Sequence, residues 1–317
     1  MRGPHVRHVL DIDAFSPQEL RAVLRHAAAL KQAPPRREPL RGRFVALVFE
    51  KPSLRTRLSF EAAVAQLGGT ATYVSGSDVG LGTRESLADF GRVIGLYVDA
   101  LVLRVYNHTV LQELAVHLRV PLINGLSDQA HPCQALGDVL TIMEVFGPKA
   151  QPTVVFVGDG NNVARSLAIA CKYLGWRFRL CGPRAYAFDE RFVAHLEQLP
   201  GAGPVEYEPE ASKAVKEADV IYTDVWTSMG QEREARRRQK AFRRYQVNAT
   251  LVAHAPSHCR IMHCLPAHRG EEITDEVLDG PQSIVLQQAE NRLHAQKGLL
   301  AWLFASRRRV QPRSRKA

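Results

Sequence analysis

One short segment combines the residue types that bind a phosphate group. An apolar run ends at Phe49, and Ser53, Leu54, Arg55 and Thr56 follow it after a proline. Ser53 is suited to cap a helix that starts at the next residue, and free N–H groups at a helix start, two hydroxyls and a guanidinium together form a phosphate site. A Ser-capped helix with surface arginines explains the local pattern equally well, so this segment by itself leaves both interpretations open.

A second group of polar residues follows two further apolar runs. Arg104 comes directly after the run 101–103, and His131 and Gln134 come after the loop 124–128. His131 and Gln134 are three positions apart, so on a helix both side chains reach one ligand. A cap or packing role for His131 is the alternative. An arginine at the end of a buried strand is costly unless an anion or an acidic side chain meets it.

The segment after Val157 matches a dinucleotide-binding turn only in part. Gly158 and Gly160 supply two of the three glycines of that motif, but Val163 occupies the third position, and no acidic residue ends the next apolar run. The sequence therefore argues against an NAD-dependent enzyme. Asn162 and the asparagine before it instead predict a loop that hydrogen-bonds a small polar ligand.

An acid, a hydroxyl and a flexible glycine follow the apolar run that ends at Tyr222. They are Asp224, Ser228 and Gly230, with Met229 between the last two. A carboxylate here suits the ammonium group of an amino acid. A helix cap at Asp224 and a plain turn over 228–230 explain the segment in isolation equally well.

A final group contains histidines and cysteines around Cys264 and Leu265. A zinc site is disfavoured because His263 and Cys264 are adjacent on a predicted strand and point to opposite faces, and because no Cys-x-x-Cys pair is present. We therefore predict no metal. A nucleophilic Cys264 is the other alternative, and it needs a base beside it. The residues weighed as zinc ligands are His254, His258, Cys259, His263, Cys264 and His268.

Strands and helices that alternate along the chain must position these segments. Apolar runs with helical stretches between them predict an α/β fold of two lobes, each a parallel β-sheet flanked by helices. The Gly- and Pro-bearing segment 147–152 is the predicted seam. The stretch Gln288–Phe304 is predicted to be a C-terminal helix that packs back on the first lobe. The predicted strands are Phe44–Phe49, Thr70–Val74, Ala100–Val105, Val120–Ile123, Thr153–Val157, Arg177–Cys181, Val220–Tyr222, Ile261–Cys264 and Ser283–Leu286.

The composition limits the classes of protein that remain. The 317 residues are 45% hydrophobic and 23% charged, which is enough for a buried core and two domains and excludes a disordered chain. The five cysteines are scattered and the start is polar, so we expect a soluble cytoplasmic protein without a membrane span. The formal charge of +10 suits nucleic acid, anionic lipid or a small anionic substrate.

Two basic runs, Arg233–Arg244 and Arg307–Lys316, carry part of that charge. We interpret them as a solvated helix face and a terminal tail, because no aromatic stacking residues or RNA-binding motif accompany them. We therefore expect neither nucleic acid nor a membrane as a partner.

Taken together, the polar segments resemble the aspartate/ornithine carbamoyltransferase family over nearly the whole chain. Each motif is weak alone, but the family has all of them in this order and at about this spacing. The Ser-Met-Gly segment points to ornithine rather than aspartate as the second substrate. The motifs are Ser53-x-Arg55-Thr56-Arg57, His131-Pro132-Cys133-Gln134, Asp224-x-x-x-Ser228-Met229-Gly230, His263-Cys264-Leu265-Pro266 and Glu290-Asn291-Arg292.

The resemblance implies two substrate sites, one for carbamoyl phosphate and one for L-ornithine. The residues implied for carbamoyl phosphate are Ser53, Leu54, Arg55, Thr56, Arg104, His131, Gln134, Cys264, Leu265 and Arg292. Those implied for ornithine are Asn162, Asp224, Ser228 and Met229. Of all these, the ones implied as catalytic are Arg104, His131, Asp224 and Cys264.

The resemblance also implies the reaction and the assembly. The δ-amine of ornithine would attack the carbamoyl carbon and give citrulline and phosphate, with no cofactor and no metal, in a homotrimer or a multiple of it. The implied domains are 1–147 for carbamoyl phosphate and 148–287 for ornithine, with 288–317 as the returning helix and basic tail.

Two residues depart from the family's usual pattern. Leu54 stands where Thr or Gly is more common, and Gly80 stands where many members have a polar Gln or His. They leave two alternatives open: an N-acetylornithine or N-succinylornithine carbamoyltransferase, and a binding or regulatory homologue without turnover. A basic nucleic-acid binder is a third alternative, which rests on the basic tail.

Overall fold

A computed structural model of the chain describes residues 6–33, 35, 38–228, 230 and 232–307. These residues form two compact units. One comprises the described residues of Met1–Leu140 and Arg292–Ala317, and the other comprises those of Thr141–Asn291. Each unit contains one parallel β-sheet with helices, so the predicted α/β fold class is confirmed.

The first unit is built on a four-stranded sheet. Its strands are β1 (Phe44–Phe49), β2 (Thr70–Ser75), β3 (Ala100–Arg104) and β4 (Leu122–Leu126). They pair in the order β2-β1-β3-β4, all in parallel. In β3 every residue is buried, as expected for a parallel strand covered on both faces. The helices that begin in this unit are α1 (Pro17–Gln32), α2 (Leu54–Gln66), α3 (Gly76–Val79), α4 (Leu87–Tyr97), α5 (His108–His117) and α6 (Pro132–Phe146), after a short 3₁₀ turn at Ile12–Ala14.

The pairing register aligns the strand ends of the first unit. Phe49, the last residue of β1, is opposite Arg104, the last residue of β3, and Arg104 is in turn opposite Leu126 of β4. The segments that follow these three strands therefore leave the sheet at one edge. Ligands of parallel α/β sheets bind at this carboxyl edge.

The second unit is built on a five-stranded parallel sheet. Its strands are β5 (Thr153–Val157), β6 (Arg177–Cys181), β7 (Val205–Tyr207), β8 (Val220–Thr223) and β9 (Arg260–His263), in the order β7-β6-β5-β8-β9. Val157, Thr223 and His263 are aligned across β5, β8 and β9. Its helices are α7 (Asn162–Leu174), α8 (Glu190–Gln198), α9 (Ala211–Ala214), α10 (Ala235–Phe242), α11 (Ala249–Val252) and α12 (Asp275–Leu278), with 3₁₀ turns at Arg184–Tyr186, Glu232–Glu234 and Arg243–Tyr245.

The last helix, α13 (Val285–Arg307), starts earlier and ends later than the sequence predicted. Its C-terminal part packs on the first unit as expected. Lys297 donates from Nζ to the Leu30 carbonyl over 3.0 Å, and the Trp302 ring lies edge-on to Phe15 with 5.4 Å between centroids. Gly298 lies so close to α1 that an added Cβ would lie 2.7 Å from Ala27.

One predicted strand, Ser283–Leu286, is wrong. Only Ser283 forms a bridge, with Ile261, and the Ile284 N–H donates to the Ile261 carbonyl. The Gln288 N–H already donates to the Ile284 carbonyl, so the chain turns helical within this β-branched run. A short apolar run does not distinguish a strand from the start of a buried helix.

No helix within the described ranges is long and apolar enough to cross a membrane.

Candidate active site

The start of α2 has the form that the sequence predicted. Ser53 is its N-cap, because its Oγ accepts from the Thr56 N–H over 3.4 Å, and the same Oγ donates to the Thr56 Oγ1 over 3.1 Å. The first N–H groups of a helix have no acceptor within it. Leu54 is 72% exposed, and Arg55 is exposed beside it. This helix start therefore offers backbone donors and a guanidinium to a ligand from solvent.

Arg104 is a buried guanidinium at the end of β3. It is 8% exposed, and its Nε has no hydrogen-bond partner among the described residues. No carboxylate of those residues forms a salt bridge with it, which removes the alternative that Arg104 simply pairs with an acid. Burial, followed by the charge of Arg292, lowers the pKa of Arg104 to about 10, so it stays cationic at neutral pH. A buried cation of this kind favours a bound anion.

Gln134 and Arg292 are joined at the start of α6. The Arg292 Nη1 donates to the Gln134 Oε1, and its Nη2 lies 3.3 Å from the Thr56 Oγ1. Arg292, from α13, lies against Gly137, where a Cβ would be 3.2 Å from the Arg292 Cδ. Thr56, Gln134 and Arg292 are all buried. Three segments that are distant in sequence thus meet at one point.

His131 directly precedes α6 and is buried. Burial, and then the positive charges of Arg292 and Arg104, hold the pKa of His131 well below its ordinary 6.5. The imidazole is therefore neutral at pH 7. A neutral imidazole between two cations polarises a carbonyl oxygen by hydrogen bonding without adding a third charge.

Asp138 is a contributor that the sequence did not single out. Its side chain is fully buried, and its Oδ1 accepts from the Gln134 Nε2 over 2.8 Å. The carboxylate thereby orients the Gln134 amide, with its oxygen toward Arg292. The four-residue spacing between Gln134 and Asp138 in one predicted helix could have indicated that their side chains meet.

In the second unit, the residues after β5, β8 and β9 gather around Asp224. This carboxylate is 8% exposed. Its Oδ2 accepts from the Asn161 Nδ2 over 2.8 Å, and its Oδ1 accepts from the Cys264 Sγ over 2.9 Å and from the Val225 N–H over 2.8 Å. Asp224 caps no described helix, so the cap alternative is wrong.

The asparagine that contacts Asp224 is Asn161, whereas the sequence selected Asn162. Asn161 is the N-cap of α7, and its Oδ1 accepts from the N–H groups of Val163 and Ala164 at 3.0 Å. Asn162 is half-buried and its Oδ1 accepts from the Val163 N–H. An asparagine directly before a helix is a capping signal that could have found Asn161.

The Ser-Met-Gly segment is described only in part. Ser228 is half-buried and Gly230 has φ +94°. The predicted ornithine contact Met229 lies outside the described residues.

His263 lies behind Cys264 and Leu265 in the core. Its Nε2 is 2.9 Å from the Glu272 Oε1, and its Nδ1 accepts from the Leu265 N–H over 2.8 Å. Both side chains of the His263–Glu272 pair are fully buried. The sequence analysis weighed His263 as a zinc ligand and did not identify it as the residue that links Glu272 to the Leu265 backbone.

The six residues weighed as zinc ligands do not gather into one group in the described part of the chain. Of the six residues weighed, only His268 belongs to a group of three potential metal ligands, with Glu271 and Glu272, whose ligand atoms lie within 4.8 Å of one another. Glu272 already accepts from His263 and from the His268 N–H through one oxygen. The alternative of a nucleophilic Cys264 is also weakened, because the thiol donates to a carboxylate.

The basic side chains of the run 233–244 are solvated, with one exception. Arg238 is 4% exposed, pairs with Asp159 and donates from Nε to the Trp226 carbonyl. It thereby ties the loop after β5 to the segment after Asp224. In the second basic run, residues 308–316 lie outside the described residues.

The two departures from the usual pattern have local explanations. The Leu54 side chain is exposed, so its backbone N–H is unobstructed by it. Gly80 ends α3 in the left-handed region with φ +60°, which glycine adopts without strain. A Cβ at Gly80 would also lie 3.1 Å from Thr83 Oγ1 and from the Arg84 Cβ.

Comparison with known proteins covers both units. The family model for the aspartate/ornithine carbamoyltransferase carbamoyl-P binding domain matches residues 7–144, and that for the Asp/Orn binding domain matches residues 150–303. The chain belongs to the aspartate/ornithine carbamoyltransferase family. The predicted resemblance to this family is thereby confirmed.

Individual members of the family are similar over nearly the full length. The chain is 50% identical to an ornithine carbamoyltransferase of Pyrococcus abyssi, covering 94% of this chain and 96% of that one. It is 49% identical to an anabolic ornithine carbamoyltransferase of Pyrococcus furiosus, covering 93% and 95%. A solved structure of ornithine carbamoyltransferase from Pyrococcus furiosus aligns with a TM-score of 0.90 at 47% identity, covering 96% of this chain and 99% of that one.

Proposed function

We propose that this chain is an ornithine carbamoyltransferase of arginine biosynthesis. It transfers the carbamoyl group of carbamoyl phosphate to the δ-amine of L-ornithine and releases L-citrulline and phosphate. The observation that carries the proposal is Arg104, a buried cation without a carboxylate partner among the described residues, at the same sheet edge as the start of α2. A small dianion supplies the missing counter-charge.

Carbamoyl phosphate is held by the residues around that helix start. Ser53, the Leu54 N–H, Arg55 and Thr56 bind the phosphate, and Arg292 adds a second guanidinium. Donors to ionised oxygens give stronger hydrogen bonds than neutral pairs, which suits a ligand carrying two negative charges.

The carbamoyl group needs donors at its oxygen and acceptors at its amide. Arg104 and His131 donate to the carbonyl oxygen. Gln134 accepts from the amide, because its Oε1 has a second lone pair beyond the one that takes the Arg292 hydrogen bond. The family resemblance also assigns Cys264 and the Leu265 backbone to carbamoyl phosphate, and we retain both as proposed contacts.

Ornithine is recognised through its two ends. Asp224 accepts from the α-ammonium, supported by Asn162, Ser228 and Met229 on the remaining polar groups. Cys264, whose thiol donates a hydrogen bond to Asp224, lies beside the amine that reacts.

The chemistry requires placement and charge stabilisation. A neutral δ-amine attacks the carbamoyl carbon and a tetrahedral oxyanion forms. The C–O bond to phosphate then breaks, and the proton lost by the nitrogen passes to the departing phosphate. Holding the reactants in line contributes up to ~7–11 kcal/mol of barrier reduction, and each donor aimed at the oxyanion contributes ~3–4 kcal/mol. We propose no cofactor and no metal.

The organisation of the protein follows the same family. We propose a cytoplasmic homotrimer or a multiple of it. We also propose residues 1–147 as the carbamoyl phosphate-binding domain, 148–287 as the ornithine-binding domain, and 288–317 as the returning helix with the basic tail.

A colorimetric citrulline assay on the purified protein tests the function. Carbamoyl phosphate and L-ornithine should give citrulline and phosphate in a one-to-one ratio. Absence of product with any amine would favour a binding or regulatory homologue. A further arm tests salt-sensitive DNA binding with and without residues 307–317, and binding that depends on the tail would favour the nucleic-acid alternative.

A further inference from the structure

A buried carboxylate and imidazole lie behind the segment that carries Cys264. Glu272 and His263 have no exposed side-chain surface, and their Oε1 and Nε2 are 2.9 Å apart. The His263 backbone N–H is also fixed, because it donates to the Gln288 Oε1 over 2.9 Å. None of the roles assigned above uses Glu272.

The hydrogen bonds of His263 determine its tautomer. The Leu265 N–H can only donate, so the Nδ1 that it contacts over 2.8 Å must be the unprotonated nitrogen. The proton then lies on Nε2 and is donated to Glu272. A carboxylate that fixes the tautomer and ring orientation of a histidine is a recurrent device for positioning the group on its other side.

The group on the other side is a strained residue. Leu265 has φ +55° and is the one non-glycine residue with positive φ in the described part of the chain. A branched, bulky side chain is costly in this region, and such backbone persists only where the surroundings hold it. The His263 Nδ1 is the acceptor that holds the Leu265 N–H.

Glu272 holds the far end of the same segment as well. Its Oε1 also accepts from the His268 N–H over 2.7 Å. One oxygen therefore contacts the histidine before Cys264 and the backbone four residues after it. Cys264 and Leu265 are thus fixed from both ends.

We propose that Glu272 and His263 form a positioning pair, which holds the Leu265 backbone and the Cys264 thiol in the arrangement that the reaction uses. Neither residue touches substrate. Glu272 holds His263 by a hydrogen bond, and His263 holds the Leu265 N–H by another. The segment fixed in this way places the Cys264 Sγ where it donates to the Asp224 Oδ1. The kinetic part of this inference rests on the proposed function, whereas its structural part does not.

Alkylation of Cys264 gives a readout that is independent of turnover. Cys264 is half-buried, whereas Cys133, Cys171, Cys181 and Cys259 are buried. A thiol that donates to a carboxylate is held in its unreactive form. If the segment 263–265 is no longer held, the rate at which iodoacetamide modifies Cys264 should therefore increase. Mass spectrometry of the peptide that contains Cys264 measures this rate.

The experiment compares Glu272→Leu and Glu272→Gln with the parent protein. Leu keeps the volume but removes the acceptor, whereas Gln keeps an oxygen that can still accept from His263. His258→Asn is the matched control, because His258 contacts Asp219 over 2.8 Å at the amino end of the same strands, away from Cys264. Melting temperature, Cys264 alkylation, kcat and both KM values are measured for each protein.

Glu272→Leu should speed Cys264 alkylation at least ~5-fold and lower kcat at least ~30-fold at a temperature where it is fully folded. Glu272→Gln should reverse most of both changes, and His258→Asn should alter neither quantity. Unchanged alkylation and kcat in folded Glu272→Leu would overturn the proposal, as would equal effects in His258→Asn.

If Glu272→Leu does not fold, Glu272→Asp decides, because its shorter carboxylate cannot reach the His263 Nε2 and the His268 N–H together. Alkylation raised ~2-fold or more at an unchanged melting temperature supports positioning, and parent-like alkylation and kinetics overturn it. If the parent makes no citrulline, the proposed function fails, and alkylation still tests the pair.

Discussion

The thiol of Cys264 lies 2.9 Å from the Oδ1 of Asp224, whose other oxygen accepts from Asn161 over 2.8 Å. Both oxygens of this nearly buried carboxylate are therefore held by the protein. An ammonium group that binds Asp224 uses the lone pairs that remain and displaces or shares the thiol. The strength of the donor at position 264 thus affects how well an amine competes for Asp224.

Cys264→Ser tests that competition. A hydroxyl is a stronger donor to a carboxylate than a thiol, so the introduced hydroxyl should stay on Asp224 and weaken ornithine binding. We expect KM for ornithine to rise ~10-fold while KM for carbamoyl phosphate changes less than ~3-fold. Steady-state kinetics with each substrate varied in turn measure both, and an equal effect on the two substrates would contradict this assignment.

Much of the candidate site was predictable because parallel strands bring their carboxyl ends to one edge. The apolar run before Ser53 and the run before Asp224 identified two such ends, and Ser53 proved to be the helix cap that its type indicates. In the first unit the pairing register aligns the end of β1 with the end of β3, and in the second unit it aligns the end of β8 with the end of β5.

The unpredicted parts depend on partners far apart in the sequence or on local competition. Arg238 meets Asp159 across 79 positions, and no periodicity reports such a pairing. The run Ser283–Leu286 has strand-like residues, but a helix begins at Val285. Tertiary context overrides local propensity there.

Arg55→Ala tests the phosphate site. Arg55 is exposed at the start of α2, where its planar guanidinium can donate paired, charge-assisted hydrogen bonds to phosphate oxygens. We expect kcat/KM for carbamoyl phosphate to fall at least ~100-fold, or about 3 kcal/mol, with an unchanged melting temperature.

Arg57→Ala is the matched control for Arg55→Ala. Arg57 lies on the same helix, but its Nε already donates to Glu61 over 2.9 Å and its guanidinium stacks on Tyr73. Its loss should change kcat/KM less than ~3-fold, because this guanidinium is already engaged by Glu61 and Tyr73. The loss should also cost little stability, since an exposed salt bridge contributes ~0–1 kcal/mol to folding. Similar losses in both variants would point to helix stability instead of phosphate binding.

His131 should make the folded protein less stable in acid. Its folded pKa lies well below 6.5, so below that pH the unfolded chain takes up a proton that the folded chain does not. Stability from this group is complete above pH 6.5 and is lost as the pH falls, by up to about 1.4 kcal/mol per pH unit. Urea unfolding of the parent and of His131→Asn at pH 7.5 and 5.5 should show a smaller loss in the variant. The exposed His254→Asn should keep the parent's slope.

Gly298 and Gly95 should respond to alanine in opposite directions. Both lie in helices of the first unit, but a Cβ at Gly298 would be 2.7 Å from backbone and side-chain atoms of Ala27, whereas at Gly95 the nearest atom is 3.8 Å away. Gly298→Ala should destabilise by ~1–3 kcal/mol through overpacking. Gly95→Ala should stabilise by ~0.5–1 kcal/mol through helix propensity. Thermal melts of the two variants measure both.

The choice between ornithine and its acylated relatives depends on Asp224. A free α-ammonium donates charge-assisted hydrogen bonds to this carboxylate, whereas an acetylated or succinylated α-amine is neutral, bulkier and has a single N–H. A site built to pair a polar group rejects analogues that lack it far more strongly than an apolar pocket rejects extra bulk. We therefore expect kcat/KM for L-ornithine to exceed that for N-acetylornithine or N-succinylornithine by at least ~10³, or about 4 kcal/mol. Asp224→Asn should reduce this ratio mainly by impairing ornithine. A parallel assay of the three amines on both proteins decides the matter, and comparable turnover of an acylated amine by the parent would move the assignment to an acylornithine carbamoyltransferase.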